Sequence, residues 1–282
     1  MLVAWIMGLA ASMMTQDGEG LIEAVPEMVS PDEHASWISF NPEQTIMAFG
    51  RHDDDWGNHR VLLTYLGAAG WGVPQPVEID GNAWPVEMRA LRFAPDGRSA
   101  VFSSAPMPGE GREDWDLWFV RFHEGRFVAA RRLEEPVNSS AHDFHGSLAA
   151  NGTIYFASRR DGGAGGSDLY RARPDLASGW RVEHLRQLST EFSEADIFVA
   201  PDESYVLFAR TGAPGGEGGD DLYISHALAD GWAEPTPLGQ DVNTVEYEYG
   251  AWVNSDQDTL WFTSFRQGVY GQYRVSLPAR ED

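Results

Sequence analysis

The chain has 282 residues and a formal net charge of −23, from 20 Lys plus Arg against 43 Asp plus Glu. That balance excludes nucleic acid as a partner, since such binding runs on Lys and Arg neutralising phosphates, and it disfavours an anionic membrane surface for the same reason. The absence of cysteine excludes disulfides, thiolate metal sites, a Cys nucleophile and lipid attachment through an N-terminal Cys.

Residues Met1 to Met14 read MLVAWIMGLAASMM and carry no charged side chain. A membrane-spanning helix needs about 20 apolar residues, so the run is too short to cross a bilayer. It has the length and composition of a signal-peptide core, with Ala10, Ala11 and Ser12 as small residues near a cleavage point. We therefore read 1–16 as a signal peptide and 17–282 as one exported domain, periplasmic or secreted, with no transmembrane segment in the mature chain. A Lys or Arg before the apolar run is missing, and a buried N-terminal strand is the competing reading. The acidic surface then serves solubility first.

Beyond it, one pattern recurs. Ile38-Ser39-Phe40-Asn41-Pro42-Glu43 leads to Ile46-Met47-Ala48-Phe49, and Leu91-Arg92-Phe93-Ala94-Pro95-Asp96-Gly97 leads to Val101-Phe102. Further copies are Leu148-Ala149-Ala150-Asn151-Gly152 to Ile154-Tyr155-Phe156, Val199-Ala200-Pro201-Asp202 to Val206-Leu207-Phe208, and Val253-Asn254-Ser255-Asp256 to Leu260-Trp261-Phe262. Each is an apolar strand, a turn of Pro, Asp, Asn or Gly, and a second apolar strand, which is a hairpin signal. The turns fall at 42, 95, 150, 201 and 255, at spacings of 53, 55, 51 and 54 residues. A third strand follows, as in Asp116-Leu117-Trp118, Asp168-Leu169-Tyr170 and Asp221-Leu222-Tyr223, and then a fourth, often opening on Gly-Trp as at Gly179-Trp180 and Gly231-Trp232. Four short strands per repeat describe a propeller blade. The fold expected is all-β: a five-bladed β-propeller with four antiparallel strands per blade.

Copy five ends near Leu277 without a fourth strand, and Gly20-Leu21-Ile22-Glu23-Ala24-Val25-Pro26 is a fourth strand without a copy. The N-terminal strand is therefore expected to close the last blade, pairing near Tyr273 and removing an open edge.

These repeats resemble the TolB-type, WD-like propeller repeats of bacterial envelope proteins. The resemblance runs over most of the chain from Gly20 to Leu277 and is strongest from Val137-Asn138-Ser139 to Gly179-Trp180. It implies a propeller and an envelope setting, and it names no activity. The Trp-Met-Asn-Asp-Pro-Asn motif of some five-bladed glycosidases is absent; Trp37-Ile38-Ser39-Phe40-Asn41-Pro42 echoes it only superficially.

Loops leading into the inner strands crowd one mouth of a propeller. Seven residues before each turn lie Ala35, Met88, Asp143, Glu194 and Glu248, and one earlier lie His34, Glu87, His142, Ser193 and Tyr247. The ligand-binding candidates are thus Glu87, His142, Asp143, His145, Glu194, Tyr247 and Glu248. If the chain is catalytic, Asp143, Glu194 and Glu248 are the candidate acid and base residues. The metal candidates are His34, His142, Asp143 and Glu194, with Ca²⁺ the ion that carboxylate-rich loops such as His52-Asp53-Asp54-Asp55 would suit. No other cofactor is indicated. The plainer reading is that these side chains hydrogen-bond the backbone between blades. The repeated Asp116, Asp168 and Asp221 are expected to accept turn amides. Gly162 to Gly166 and Gly215 to Gly219 precede strands and lack a Lys, which excludes a phosphate loop. Most of the Trp, Tyr and Phe side chains are expected to wedge between blades, with a few on the channel face, such as Trp37, Trp84, Tyr247 and Tyr249, placed to stack on a sugar or peptide. On this reading the protein is a non-catalytic scaffold that binds a protein, peptide or glycan at the channel face. The alternative is a five-bladed glycoside hydrolase-like enzyme using carboxylates at the channel mouth.

Overall fold

The computed structural model describes residues 23–24 and 34–277, and every regular element among them is a β-strand. The expected signal segment, 1–16, lies outside the described residues. The strands begin with β1 (Glu23–Ala24). The first sheet then comprises β2 (His34–Phe40), β3 (Ile46–His52), β4 (Arg60–Gly67), β5 (Gly70–Trp71) and β6 (Gln75–Pro76). The second holds β7 (Glu78–Ile79), β8 (Asn82–Ala83), β9 (Met88–Phe93), β10 (Ser99–Ser104), β11 (Asp116–His123) and β12 (Arg126–Arg132). The third holds β13 (Asp143–Leu148), β14 (Ile154–Ser158), β15 (Asp168–Asp175) and β16 (Gly179–His184). The fourth holds β17 (Ser193–Val199), β18 (Tyr205–Thr211), β19 (Asp220–Leu228), β20 (Gly231–Trp232) and β21 (Thr236–Pro237). The fifth holds β22 (Glu248–Val253), β23 (Thr259–Ser264) and β24 (Gly271–Ser276), completed by β1.

The hairpin turns are fixed by short side chains bonded to their own backbone. Asn41 Oδ1 accepts Thr45 N and Ile46 N at 2.9 and 2.7 Å, and Asn254 Oδ1 accepts Asp258 N and Thr259 N, both at 3.0 Å. Asp96, Asn151 and Asp202 each accept the amide two residues on. Such turns compete with strand extension and set the hairpin register.

Within each blade the middle strands are buried on both faces, so they read as unbroken apolar runs; all of Ile154–Ser158 is buried. One Phe stands at matching places in the five second strands: Phe49, Phe102, Phe156, Phe208 and Phe262 are each 1 % exposed or less. The expected wedging of aromatics is realised here, and truncating one such Phe typically costs about 3–5 kcal/mol. The outer strands alternate instead, as in the exposed and half-buried succession of Gly179–His184.

The five innermost strands β2, β9, β13, β17 and β22 touch in that order, and β22 touches β2, closing the ring. The last blade has the order β1-β24-β23-β22, with Glu23 opposite Arg274 and Ala24 opposite Tyr273. The chain's beginning thus pairs with its end at the expected place.

Two details were not foreseen. In blades one and four the fourth strand is split into two pieces on β4 and β19. The stretches Val73-Pro74-Gln75-Pro76 and Pro235-Thr236-Pro237 explain this, since proline has no N–H to give the ladder. Blade two gains the hairpin β7–β8 on its outer edge, where Ile79 pairs in parallel with Phe127.

Candidate functional site

Five residues before each hairpin turn the inner strand bulges. Trp37, Ala90, His145, Asp196 and Gly250 occupy that position, with φ of 50, 48, 53, 55 and 65°. Each sits at a break in the register with the second strand. A β-bulge bends the strand and re-aims a side chain. The left-handed conformation costs an ordinary residue about 1–2 kcal/mol, and such strain gathers where a site requires it.

Trp37, His145 and Asp196 from this ring line one cavity of about 470 Å³. Arg89, Phe144 and Tyr249, each one position before a bulge residue, line it too. Trp56, Trp115, His142 and Arg159 add walls from the loops, and Thr211 and Asp220 come from blade four. The size is that of a small-molecule site, aromatic with a few convergent polar groups.

Asp196 is 6 % exposed. Its Oδ1 accepts the Trp37 indole N–H and lies 2.9 Å from His145 Nδ1. Burial opposes ionisation here, but the His145 ring, the Trp37 N–H and the Arg92 guanidinium outweigh it and hold the Asp196 carboxyl below its ordinary range. Asp220 goes the other way. Burial raises its carboxyl, the nearby charges of Asp196, Asp221 and Glu248 raise it further, and one hydrogen bond from Thr211 Oγ1 at 2.6 Å opposes them. Two carboxyl groups of one pocket are thus pushed apart in acidity.

Beside the pocket runs a stack of imidazoles. The His34 ring lies 5.0 Å from His52, and His52 lies 4.4 Å from Trp56 and 4.8 Å from His59. His52 Nδ1 bonds the Asp53 carbonyl at 2.9 Å, and the Nε2 atoms of His52 and His59 are buried without a hydrogen-bond partner. Desolvation first, with nearby cationic groups adding, lowers His52 to about 4 and His59 to about 2, so both rings are neutral near pH 7.

Of the residues singled out from the sequence, His142 and His145 line the cavity. Asp143, Glu194 and Glu248 do not line it; each is 0 % exposed. Each is instead a latch on a tight turn. Asp143 accepts Ser139 N and Oγ and Arg160, Glu194 accepts Thr190 N and Oγ1 and Arg210, and Glu248 accepts Thr244 N and Oγ1 and Ser264 Oγ. Arg160, Arg210 and Arg266, the last 3.7 Å from Glu248, stack alike on Tyr170, Tyr223 and Tyr273, at 4.9, 4.7 and 4.9 Å. These carboxylates have no oxygen left for a substrate, and the expected open ring of mouth carboxylates is corrected accordingly. Glu87 is half-buried, 3.9 Å from Arg89, and Tyr247 is exposed with its ring 6.4 Å from Tyr270. His34 is held between Tyr270 N and Asp54, at 2.9 and 3.0 Å.

Among the described residues no three His, Asp or Glu side chains form a metal-holding group, so His34, His142, Asp143 and Glu194 do not converge. In the 53–55 loop Asp53 accepts Asn58 and Asp55 accepts Gly57 N. Asp168 and Asp221 accept turn amides, whereas Asp116 pairs with Arg112 and Arg132. The glycine runs serve close approach: a Cβ on Gly163 would overlap the Asp168 carboxylate, and one on Gly216 that of Asp221. Asp196, Asp220, Arg89 and Trp115 were missed from the sequence. The available signal was that the fifth position before the turn differs in chemistry from blade to blade.

No protein-family model matches the chain, and no curated protein matches it. Solved structures do. The chain is similar to an α-L-arabinofuranosidase from Lactobacillus brevis, with a TM-score of 0.57 and 10 % identity over 92 % of this chain and 96 % of that one. It is similar to a gluconolactonase from Xanthomonas campestris, with a TM-score of 0.55 and 12 % identity over 95 % and 93 %. A glucose dehydrogenase gives a TM-score of 0.51 and 12 % identity over 92 % and 100 %. At such identity the likeness carries the fold. Among the described residues no helix is long and apolar enough to cross a membrane. The expectation of a non-catalytic scaffold is corrected by this comparison, since the solved structures named here as sharing the five-bladed β-propeller are enzymes.

Proposed function

We propose that the protein is a glycoside hydrolase-like enzyme whose site is the cavity at the bulge ring. The observation that carries this reading is the pair Asp196 and Asp220, two pocket carboxyl groups of opposed acidity within aromatic walls. Protonated Asp220 gives its proton to the glycosidic oxygen as the bond to the anomeric carbon breaks. Ionised Asp196 takes a proton from the water whose oxygen adds to that carbon. One water is consumed, and exchange with solvent restores both carboxyl groups. Trp37 and His145 orient Asp196, and Trp56 and Trp115 offer faces on which a sugar ring stacks.

A glycan is then the partner at the channel face. An exported setting of the TolB-like kind belongs to the same proposal, supported by the apolar segment Met1 to Met14 and by the repeat pattern.

The test is a panel of 4-nitrophenyl glycosides with the wild type, Asp196→Asn and Asp220→Asn. At least one glycoside should be hydrolysed by the wild type, and each variant should lose about 100- to 10,000-fold in kcat while still unfolding cooperatively. Failure of the wild type on every glycoside, or full activity in both variants, defeats the proposal.

A further inference from the structure

All 20 cationic Lys-or-Arg positions of this acidic chain are Arg, and three of these side chains gather at the pocket and beneath it. Arg89 and Arg159 line the cavity, and Arg92 acts on Asp196 from a site 2 % exposed. They are built unlike the latch arginines. Arg160 is saturated by Ser158, Pro136, Val137 and Asp143. Arg89 keeps its Nε buried without a partner, and its nearest acid, Glu87, stands at 3.9 Å, too far for a hydrogen bond. Its guanidinium carbon lies over the Trp115 ring, 4.0 Å from the centroid, a cation–π contact that holds the fork at the cavity wall. Arg92 gives Nη1 to the Ala251 carbonyl at 2.8 Å and leaves Nε and Nη2 unpaired. Arg159 is exposed at the rim, 5.8 Å over Phe144, with no ion pair among the described residues.

Buried donors without acceptors are rare in a folded protein and call for an occupant. A guanidinium fork lying over an aromatic face matches a carboxylate, which takes two parallel N–H donors. The pocket's own carboxyl groups make no hydrogen bond to Arg89 among the described residues: Asp196 Oδ1 faces Trp37 and His145, and Asp220 Oδ1 accepts Thr211.

We propose that the sugar bound here is anionic, a uronic acid residue whose carboxylate lies on the free edge of Arg89, with Arg159 guarding the rim. The proposal rests on the reading of the cavity as a sugar site and names the substrate class for it. The pocket then discriminates by charge: the uronide pairs with the Arg89 guanidinium, which its neutral counterpart leaves without an anion.

The test is binding, followed by tryptophan fluorescence of the whole chain, since Trp37, Trp56 and Trp115 line the cavity. The probes are methyl glucuronide and methyl galacturonide, the matching methyl glucoside and galactoside, and inorganic phosphate. One of the uronides should bind roughly 10- to 100-fold more tightly than its neutral counterpart, the size of a charge-assisted hydrogen bond. Arg89→Gln should bring that ratio toward one, and Arg159→Gln should lower it less. Equal affinities in the wild type, phosphate competing as well as the better uronide, or an unchanged ratio in Arg89→Gln would each overturn it. Uronide binding without hydrolysis of any glycoside sinks the hydrolase and leaves this inference standing. Hydrolysis of neutral glycosides without uronide preference does the reverse.

Discussion

Two positions along a strand separate Asp143 from the environment of Asp196. Asp143 stands seven residues before its turn, fully enclosed and bonded to Ser139 and Arg160. Asp196 stands five before its turn, on the bulge, and faces the cavity. The first recurs as Glu194 and Glu248 with the same partners, while the second is replaced by Trp37, Ala90, His145 and Gly250. In a repeat, positions that agree hold the blades together, and positions that differ are free to make a site. At this scale the two buried imidazoles give a pH prediction. His52 and His59 are depressed to about 4 and about 2 in the folded chain, against 6.5 when free. The unfolded state therefore binds protons first, and the stability that both rings contribute above pH 6.5 drains as pH falls toward those folded values. Below pH 6 each ring should add roughly 1.4 kcal/mol per pH unit to the slope. Urea unfolding between pH 7.5 and 5 should show a shallower slope in His52→Gln and in His59→Gln; slopes equal to the wild type would contradict the burial argument.

The blade elements were legible where local chemistry dictates them. Asn41, Asp96, Asn151, Asp202 and Asn254 mark their own hairpin turns, and the five buried Phe follow six or seven residues after the turn positions 42, 95, 150, 201 and 255. The bulge was not legible, because strict alternation assumes an unbroken strand and one extra residue reverses which side chains face the channel. That is why the mouth was assigned to Asp143, Glu194 and Glu248 rather than to Asp196. The hairpin β7–β8 was also missed, since its two-residue strands fall below any periodicity. The glycine runs have a packing reason. A Cβ on Gly165 would overlap the carbonyl oxygens of Phe192 and Thr190, and one on Gly218 those of Thr244 and Glu246. Backbone cannot yield as a side chain does, so Gly165→Ala should cost about 2 kcal/mol or more. Its midpoint in urea reads this directly, and a loss under about 0.5 kcal/mol, the range of ordinary surface changes, would refute the close approach.

Over the whole molecule, closure joins the first and last strands, with β1 on β24 through Glu23 and Ala24. The orphan segment made this legible from the sequence. Deleting residues 17–26 leaves the edge of β24 unpaired, and the shortened chain should melt several degrees lower and aggregate with rising concentration. Unchanged melting and solubility would show that the closing strand contributes nothing.

The same ring sets Asp196 and Asp220 around one cavity, and the assignment of acid and base has a direct measurement. It is the rate of Asp220→Asn relative to wild type on a pair of glycosides of the accepted sugar, one with a methyl leaving group and one with 2,4-dinitrophenolate. A methoxide needs a proton to depart and a dinitrophenolate does not. The variant should lose about 100-fold or more on the methyl glycoside, the usual contribution of a positioned general acid, and remain within about tenfold of wild type on the dinitrophenyl one. An equal loss on both substrates, or no loss on either, would contradict the role given to Asp220.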